Sequence, residues 1–313
     1  MRYVIIFLLI FAAAHPAQAN IFDPCNPADY SPIAQTYKTG LFFRISKCVD
    51  GKKIRDSYLL GTMHSDLPQV RSALPRSVWQ VLGQAKSASF ELKEDSSMQA
   101  SLIKAMYYDT SSGTNLRSIT GDEMYTKLKQ TLDGKRSDLA EAVYEKMRPW
   151  AVALLMQVPA DEVDGVHLDM RLEKYAADKA IPVFGLETVD EQLGVFTTLS
   201  QAEQVGFLQE AIDTFDETEK MNDKMLDSYL RADLTGLQKL AVQAFDMMEN
   251  VLLRDKLKET LITKRNLHMV ERMQPRLADG NAFIAVGALH LPAEEGLLNL
   301  LEQGGYYIHV VND

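Results

Sequence analysis

Two similar stretches near opposite ends of the chain decide the fold, residues 58–64 (YLLGTMH) and residues 282–290 (AFIAVGALH). In each stretch an apolar run typical of a buried strand leads into a glycine, and a histidine follows three residues after that glycine. An amphipathic helix and another strand come next both times, with the second strands predicted at 88–92 and 306–310. Two strand–GxxH–helix–strand units predict an α/β protein whose halves meet in one sheet.

The remaining sequence predicts a central mixed, largely parallel sheet with a large helical insertion. Residues 41–45 and 54–60 are predicted to form a hairpin. Residues from about 97 to 180 have a helical pattern, and an apolar strand is predicted at 181–186. Long helices then reach Gly280. No linker-like or low-complexity segment interrupts the sequence, so we expect a single domain over residues 20–313.

Residues 1–19 have the features of a cleavable signal peptide. Arg2 precedes an apolar run at 4–14, and Ala17-Gln18-Ala19 has the small-x-small pattern of a signal-peptidase site. The apolar run is too short to span a bilayer. We therefore expect cleavage after Ala19 and a periplasmic or secreted protein without integral membrane association. The alternative is an uncleaved membrane anchor.

Net charge indicates which partners are disfavoured, and cysteine content predicts a disulfide. The formal net charge of −10 becomes −11 when Arg2 leaves with the predicted signal peptide, which disfavours nucleic acid and anionic membrane surfaces as partners. Cys25 and Cys48 both lie beyond the predicted cleavage site. An even number of cysteines in an oxidising compartment predicts one structural disulfide between them.

Both GxxH histidines are predicted to lie where parallel strands end. Binding crevices in open α/β sheets form at the carboxyl ends of the strands. Gly61 and Gly287 are expected to let the backbone turn tightly before His64 and His290. The two imidazoles are therefore candidates for one shared site. The alternative is that each histidine only caps a turn.

Carboxylates are predicted beside these imidazoles. Glu91 lies in the strand that ends the first unit, and Glu187 follows the strand at 181–186. Two imidazoles with one or two carboxylates suit a divalent ion such as Mn, Co or Zn, and such an ion can promote hydrolysis of an amide or ester. Two simpler interpretations remain: Glu91 faces solvent on an edge strand, and Glu187 only favours the dipole of the next helix.

Four more polar residues could support the site. Asn266 falls on the apolar face of a predicted helix, so its amide is expected to hydrogen-bond a loop near the crevice. Arg265 lies at the margin of that face and could hold a carboxylate ligand or a substrate oxyanion, or form an ordinary salt bridge. His167 and Asp169 open another helix; they could join the site or mark a surface helix start.

In these motifs the chain resembles the TraB/PrgY/GumN family, which includes the TIKI proteins. The resemblance rests on these matched stretches: Leu60-Gly61-Thr62-Met63-His64, Phe90-Glu91-Leu92, Arg148-Pro149-Trp150, Gly165-Val166-His167-Leu168-Asp169, Val183-Phe184-Gly185-Leu186-Glu187-Thr188, Glu191-Gln192-Leu193, Arg265-Asn266, Ala285-Val286-Gly287-Ala288-Leu289-His290-Leu291-Pro292 and Gly305-Tyr306. It implies a fold like that of erythromycin-esterase and ChaN-type proteins. For TIKI members it implies an Mn- or Co-dependent peptidase. One departure is His167, where many relatives are expected to have an aspartate.

The combined prediction is an exported divalent-metal-dependent hydrolase that acts on a peptide or protein substrate. The predicted metal ligands are His64, His290 and Glu187, with Glu91 or Glu187 as general base and Arg265 stabilising negative charge. The predicted supporting residues are Gly61, Gly287, Asn266 and Asp169. The alternative function is a non-catalytic periplasmic binding protein that sequesters a peptide, a metal or haem in the same cleft.

Overall fold

The structure is a computed structural model that describes residues 22–28, 30–32, 39–65, 67–109, 111, 113–136, 139–158 and 167–312. The predicted signal peptide and its cleavage site lie outside the described residues. The strands are β1 (Phe42–Ser46), β2 (Cys48–Val49), β3 (Lys52–Lys53), β4 (Ser57–Thr62), β5 (Ser87–Phe90), β6 (Val183–Gly185), β7 (Ala282–Gly287) and β8 (Tyr307–Val310).

Within the described part of the chain, six strands form the main sheet in the order β6-β5-β7-β4-β1-β8. The adjacent strands β6, β5, β7 and β4 pair in parallel, while β1 pairs antiparallel with both β4 and β8. The predicted mixed, largely parallel sheet is therefore confirmed. The predicted hairpin is confirmed as the β1–β4 pair, with the small β2–β3 ribbon inserted between its strands.

Many helices accompany this sheet, in agreement with the predicted helical insertion. They are α1 (Pro68–Ala73), α2 (Ser77–Gln84), α3 (Ser96–Met106), α4 (Leu116–Leu132), α5 (Glu141–Tyr144), α6 (Pro149–Gln157), α7 (Leu168–Asp178), α8 (Val189–Thr197), α9 (Gln201–Asp213), α10 (Phe215–Leu230), α11 (Leu234–Asp246), α12 (Val251–Lys258), α13 (Arg265–Asp279) and α14 (Leu297–Gln303). A π-helical segment (Glu259–Lys264) joins α12 to α13. None of the helices in the described ranges combines the length and apolar composition needed to cross a membrane.

The apolar interior is divided into two clusters. One contains the strands together with the buried faces of α1, α2, α7, α13 and α14. The other lies among α3, α4, α6, α8, α9 and α12, with Trp150 fully buried in it. The sheet and the helical insertion therefore each bury an apolar core of their own.

The predicted disulfide between Cys25 and Cys48 is confirmed, with a Cα–Cα distance of 5.0 Å. It ties the N-terminal described segment to β2, close to the edge of the sheet formed by β8. There the backbone N–H of Ile308 donates to the hydroxyl of Tyr30 at 3.0 Å, and the Tyr30 ring packs against Tyr307. The segment therefore covers an edge strand that would otherwise offer unpaired backbone groups.

The glycines of the two GxxH motifs allow close packing. A short 3₁₀ turn follows Gly287 before His290, but neither glycine adopts the left-handed conformation that favours glycine. Neither has a positive φ, and Gly61 is the penultimate residue of β4. A Cβ on Gly61 would lie 2.6 Å from Leu291 Cδ1 and 3.2 Å from Ala288 Cα. A Cβ on Gly287 would lie 3.2 Å from Glu91 Oε1. The glycines let the turn after β7 approach β4 and let a carboxylate approach β7.

We predict that Gly61→Ala lowers the free energy of unfolding by about 1–3 kcal/mol, because the new methyl group overpacks a filled space. Gly194→Ala is the matched control. Gly194 lies inside α8 with nothing within 4 Å of the added Cβ, so alanine is expected to raise stability by about 0.5–1 kcal/mol. Urea unfolding of both variants tests this. A Gly61→Ala protein as stable as wild type would contradict the packing explanation.

Candidate metal centre and buried ion-pair network

A group of three side chains at the end of β4 has the composition of a metal centre. Among the described residues, His64, His167 and Asp169 form a group whose potential ligand atoms all lie within 4.8 Å of one another. Asp169 Oδ2 lies 3.6 Å from His64 Nδ1 and 3.4 Å from His167 Nδ1. Ligand atoms around a tetrahedral Zn-type ion with bonds of about 2.0–2.2 Å are separated by about 3.3–3.6 Å. The spacing therefore suits a small divalent cation.

The local fold holds Asp169 in position. Asp169 lies in the first turn of α7, and the start of that helix is fixed to the β4 end because Leu168 N–H donates to the Ser65 carbonyl at 3.2 Å. Thr62, in the first GxxH motif, donates its hydroxyl to Asp169 Oδ1 at 2.7 Å. The other oxygen, Oδ2, is buried and accepts no hydrogen bond within the described ranges. One carboxylate oxygen is thus anchored and the other faces the two imidazoles, as a ligand held by an outer hydrogen bond would.

The three side chains differ in exposure. The His64 side chain is 62% exposed, that of His167 is 28% exposed, and that of Asp169 is 12% exposed. They border a cleft of about 180 Å³ that also contains Glu91, Glu94, Glu173 and Gln192. A ligand can therefore reach the imidazole of His64 from solvent, while the carboxylate behind it is shielded. His167 and Asp169 do lie at the start of a helix, as predicted, but the Asp169 side chain is not on the surface.

Glu91 forms the link between this cleft and a buried network. It follows directly after β5, an interior strand, and its side chain is 7% exposed, so the solvent-facing interpretation is wrong. Its Oε1 accepts from the Gly287 N–H at 2.6 Å. Its Oε2 accepts from Arg265 at 2.7 Å and from Gln192 at 3.1 Å. Every one of these donors comes from a different element, so Glu91 is fixed from three sides.

Arg265 is shared by two carboxylates. Its Nε and Nη2 donate to Glu187 at distances of 2.6–3.0 Å, and Nη2 also reaches Glu91. The Glu187 side chain is 1% exposed and that of Arg265 is 12% exposed. Backbone contact joins the two acids as well, because Glu187 N–H donates to the Glu91 carbonyl at 2.8 Å. The hypothesis that Arg265 holds a carboxylate agrees with this geometry.

Arg265 directly follows an irregular segment of helix. The π-helical segment Glu259–Lys264 ends directly before it, and α13 then continues with regular geometry. π-Helical turns are rare and often occur at functional sites, since the extra residue shifts the side chains that follow. No sequence pattern predicted this π-helical segment. Arg265 and Asn266 start α13 on its inward face.

His290 lies in a short 3₁₀ turn after β7 and is buried, with 5% of its surface exposed. Its Nδ1 lies 2.7 Å from Asn266 Oδ1, and the amide of Asn266 donates to the carbonyls of Glu295 and His290. These bonds orient the amide so that its oxygen faces the imidazole, which assigns the proton of neutral His290 to Nδ1. The Nε2 atom then faces Glu91 Oε1 at 3.8 Å. Asn266 is fully buried and contacts a loop at the site, as predicted.

Burial and neighbouring charges shift the pKa values of the buried residues in different directions. Burial lowers the pKa of His290 to about 4, although the Glu91 carboxylate favours the protonated imidazole. Burial opposes ionisation of Glu91, but the charges of His290, Arg265 and His64 together with the Gly287 N–H lower its pKa to about 2. Since His290 is uncharged near pH 7, Arg265 is the buried cation that keeps Glu91 ionised there. Burial raises the pKa of Glu187, and Arg265 opposes that rise.

The predicted site residues thus fall into two adjoining groups. His64 and Asp169 belong to the candidate metal centre, together with His167, whose role the sequence left open. The buried network contains Glu91, Glu187, Arg265, Asn266 and His290. The expectation that His64, His290 and Glu187 bind one ion remains a prediction. Sequence reasoning missed Thr62 and Gln192; the only signal for Thr62 was its place inside the first GxxH motif.

Comparison with known protein families identifies the family of this chain. The fold and site define an α/β protein with a candidate metal centre at the carboxyl ends of parallel strands. The sequence model of the TraB/PrgY/gumN family matches residues 41–309, and the chain belongs to this family. No curated protein and no solved structure gives a significant match to the chain. The likeness to ChaN-type folds therefore stays a prediction.

We predict that His290 makes stability depend on pH. Its pKa of about 4 in the folded protein lies below the ordinary value of 6.5, so folding favours the neutral imidazole. The contribution is complete above about pH 6.5 and is lost as the pH falls toward 4, amounting to about 3 kcal/mol. His290→Asn should remove this part of the pH dependence of unfolding, measured on metal-free protein.

His268→Asn is the control for this measurement, because it replaces an exposed histidine on the same helix as Asn266. It should unfold with the same pH dependence as wild type. A His290→Asn protein that loses as much stability as wild type between pH 6.5 and 4 would show that His290 is not the group responsible.

Proposed function

We propose that this protein is an exported, divalent-metal-dependent hydrolase with peptide or protein substrates. The observation that carries the proposal is the group formed by His64, His167 and Asp169, with its buried carboxylate oxygen facing two imidazole nitrogens. Two imidazoles and one carboxylate are a ligand set that suits Zn, Mn or Co. Export is supported by the disulfide, which forms in oxidising compartments, and by the predicted signal peptide.

In this proposal the ion supplies Lewis-acid chemistry, polarising the carbonyl that is to be hydrolysed. The exposed His64 lets a substrate approach, and Thr62 keeps Asp169 oriented. Arg265 carries a positive charge beside the cleft. Glu91, with a pKa of about 2, is a weak proton acceptor at neutral pH, so its part is to hold Arg265 and to face His290.

The choice of a peptide substrate rests on the resemblance to the TIKI proteins. The cleft itself favours a ligand with cationic or hydrogen-bond-donating groups, because Glu94 and Glu173 line it together with Glu91 and Asp169. Glu173 accepts the Glu94 N–H with both oxygens at 3.1 Å, which fixes one acidic wall. A peptide supplies such donors through its amides and its amino terminus.

Metal content tests the site. We expect about one equivalent of Mn, Co or Zn to bind wild-type protein, and at least about tenfold weaker binding in His64→Ala and Asp169→Asn. His64 is exposed, so its removal leaves folding intact, and His290→Asn should keep full affinity. Calorimetric titration and elemental analysis give the values.

Equal metal affinity in wild type and His64→Ala would contradict the proposal. If His290→Asn loses metal affinity while His167→Ala retains it, the result would support the His64–His290 pairing instead.

Turnover distinguishes a hydrolase from a binding protein. Wild type loaded with Mn, Co or Zn should cleave members of a peptide library, and His64→Ala should not. Mass spectrometry of the products identifies the cleaved bond. If the loaded protein binds metal and peptide but leaves every peptide intact, the hydrolase proposal fails and the alternative of a sequestering protein holds.

A further inference from the structure

A second cavity lies in the helical insertion, away from the candidate metal centre. Its volume is about 300 Å³. Apolar residues dominate its lining, with four methionines and three phenylalanines among them: Met221, Met225, Met247, Met248, Phe196, Phe207 and Phe245. Methionine side chains adapt to irregular shapes and are frequent at surfaces that accept varied apolar ligands.

The size of the cavity fits a small organic molecule. Apolar cavities of about 150 Å³ stay dry and bind benzene, and ordinary ligand pockets begin at about 300 Å³. This cavity is about twice the benzene-binding size, which leaves room for about ten carbon atoms. The cavity is partly open to solvent, and an apolar molecule in it would gain contact with the apolar side chains of the lining.

The polar part of the lining determines which head group fits. Asn222 donates to the Gln157 carbonyl at 2.8 Å, and Thr214 donates to the Glu210 carbonyl at 2.8 Å. Glu210 accepts the Asn250 N–H with Oε1 at 2.9 Å, while its Oε2 is buried and accepts no hydrogen bond from described residues. Among the described residues that line the cavity, Glu210 is the charged one. A ligand carboxylate would meet a like charge and no cation.

The cavity also touches the elements that carry the buried network. Leu289 lines it and directly precedes His290. Leu261 lines it from the π-helical segment that ends at Lys264, one residue before Arg265. A molecule bound in the cavity would therefore contact both the turn of His290 and the irregular turn before Arg265.

From these observations we infer a binding site for a small apolar molecule that is neutral or carries an amine, and that is not a fatty acid. The ligand body contacts the methionine and phenylalanine side chains of α8, α9, α10 and α11 and of the two residues that follow α11. A hydroxyl or amine lies at the Glu210 side of the cavity. The inference is independent of the proposed function, since it needs neither metal nor turnover.

Fluorescence of the neutral probe N-phenyl-1-naphthylamine tests the site in metal-free, full-length protein. The chain has two tryptophans, and Trp150 stacks at 5.5 Å on Phe196, which lines the cavity. In a Trp79→Phe background the remaining tryptophan therefore reports on this cavity. We expect saturable probe binding with energy transfer from Trp150. Absence of both signals would overturn the inference.

Two variants of α11 provide a matched comparison. Ala241→Phe fills the cavity and should weaken probe binding at least tenfold, whereas Val242→Phe changes the next residue, which is 41% exposed and does not line the cavity, and should leave binding unchanged. Equal binding by both variants would contradict the assignment.

Competition in wild type tests the ligand class even if a variant fails to fold. Decanol and decylamine should displace the probe at least tenfold more effectively than decanoate, because the carboxylate has no cation to pair with among the lining residues. Displacement by decanoate at equal concentration would overturn the predicted selectivity.

Discussion

The arrangement of the site depends on one buried guanidinium placed between two carboxylates. Arg265 bonds to Glu187 and Glu91, whose side chains are almost fully buried. The two acids follow neighbouring parallel strands, β5 and β6, while the arginine starts α13. Removing one member of such a buried group leaves an uncompensated charge, which typically costs about 3–5 kcal/mol. The network therefore fixes the carboxyl ends of β5 and β6 to the start of α13.

The two GxxH motifs use this framework in different ways. In the first, Thr62 holds Asp169 and the exposed His64 faces the cleft. In the second, the Gly287 N–H and the buried His290 both face Glu91. Equivalent positions thus supply a candidate ligand in one half and a constrained, uncharged imidazole in the other. Both motifs lie at the same edge of the sheet. Their histidines differ in role because His64 is exposed and His290 is buried.

The fold was largely predictable from the sequence because apolar strand patterns and glycine positions are local properties. The strands leading to Gly61 and Gly287 could be recognised this way. The disulfide followed from the even number of cysteines, and the burial of Asn266 followed from its place on the apolar face of its helix. For the metal centre, the sequence left open whether His167 and Asp169 join His64. His167 meets His64 only because α7 packs against the end of β4, and no pattern in residues 165–169 encodes that contact.

Two further features also required the tertiary structure. The sharing of Arg265 between Glu91 and Glu187 follows from the order of β5 and β6 in the sheet. The π-helical segment before Arg265 has no recognised sequence signature, and its irregularity shows only in the hydrogen bonding of the helix.

The most direct test of the central claim is a crystal structure of the protein soaked with Mn²⁺, with an anomalous difference map. The account predicts a peak within about 2.3 Å of nitrogen atoms of His64 and His167 and of Asp169 Oδ2. A peak coordinated by His64 and His290 without His167, or a fully loaded crystal with no peak at the end of β4, would contradict it.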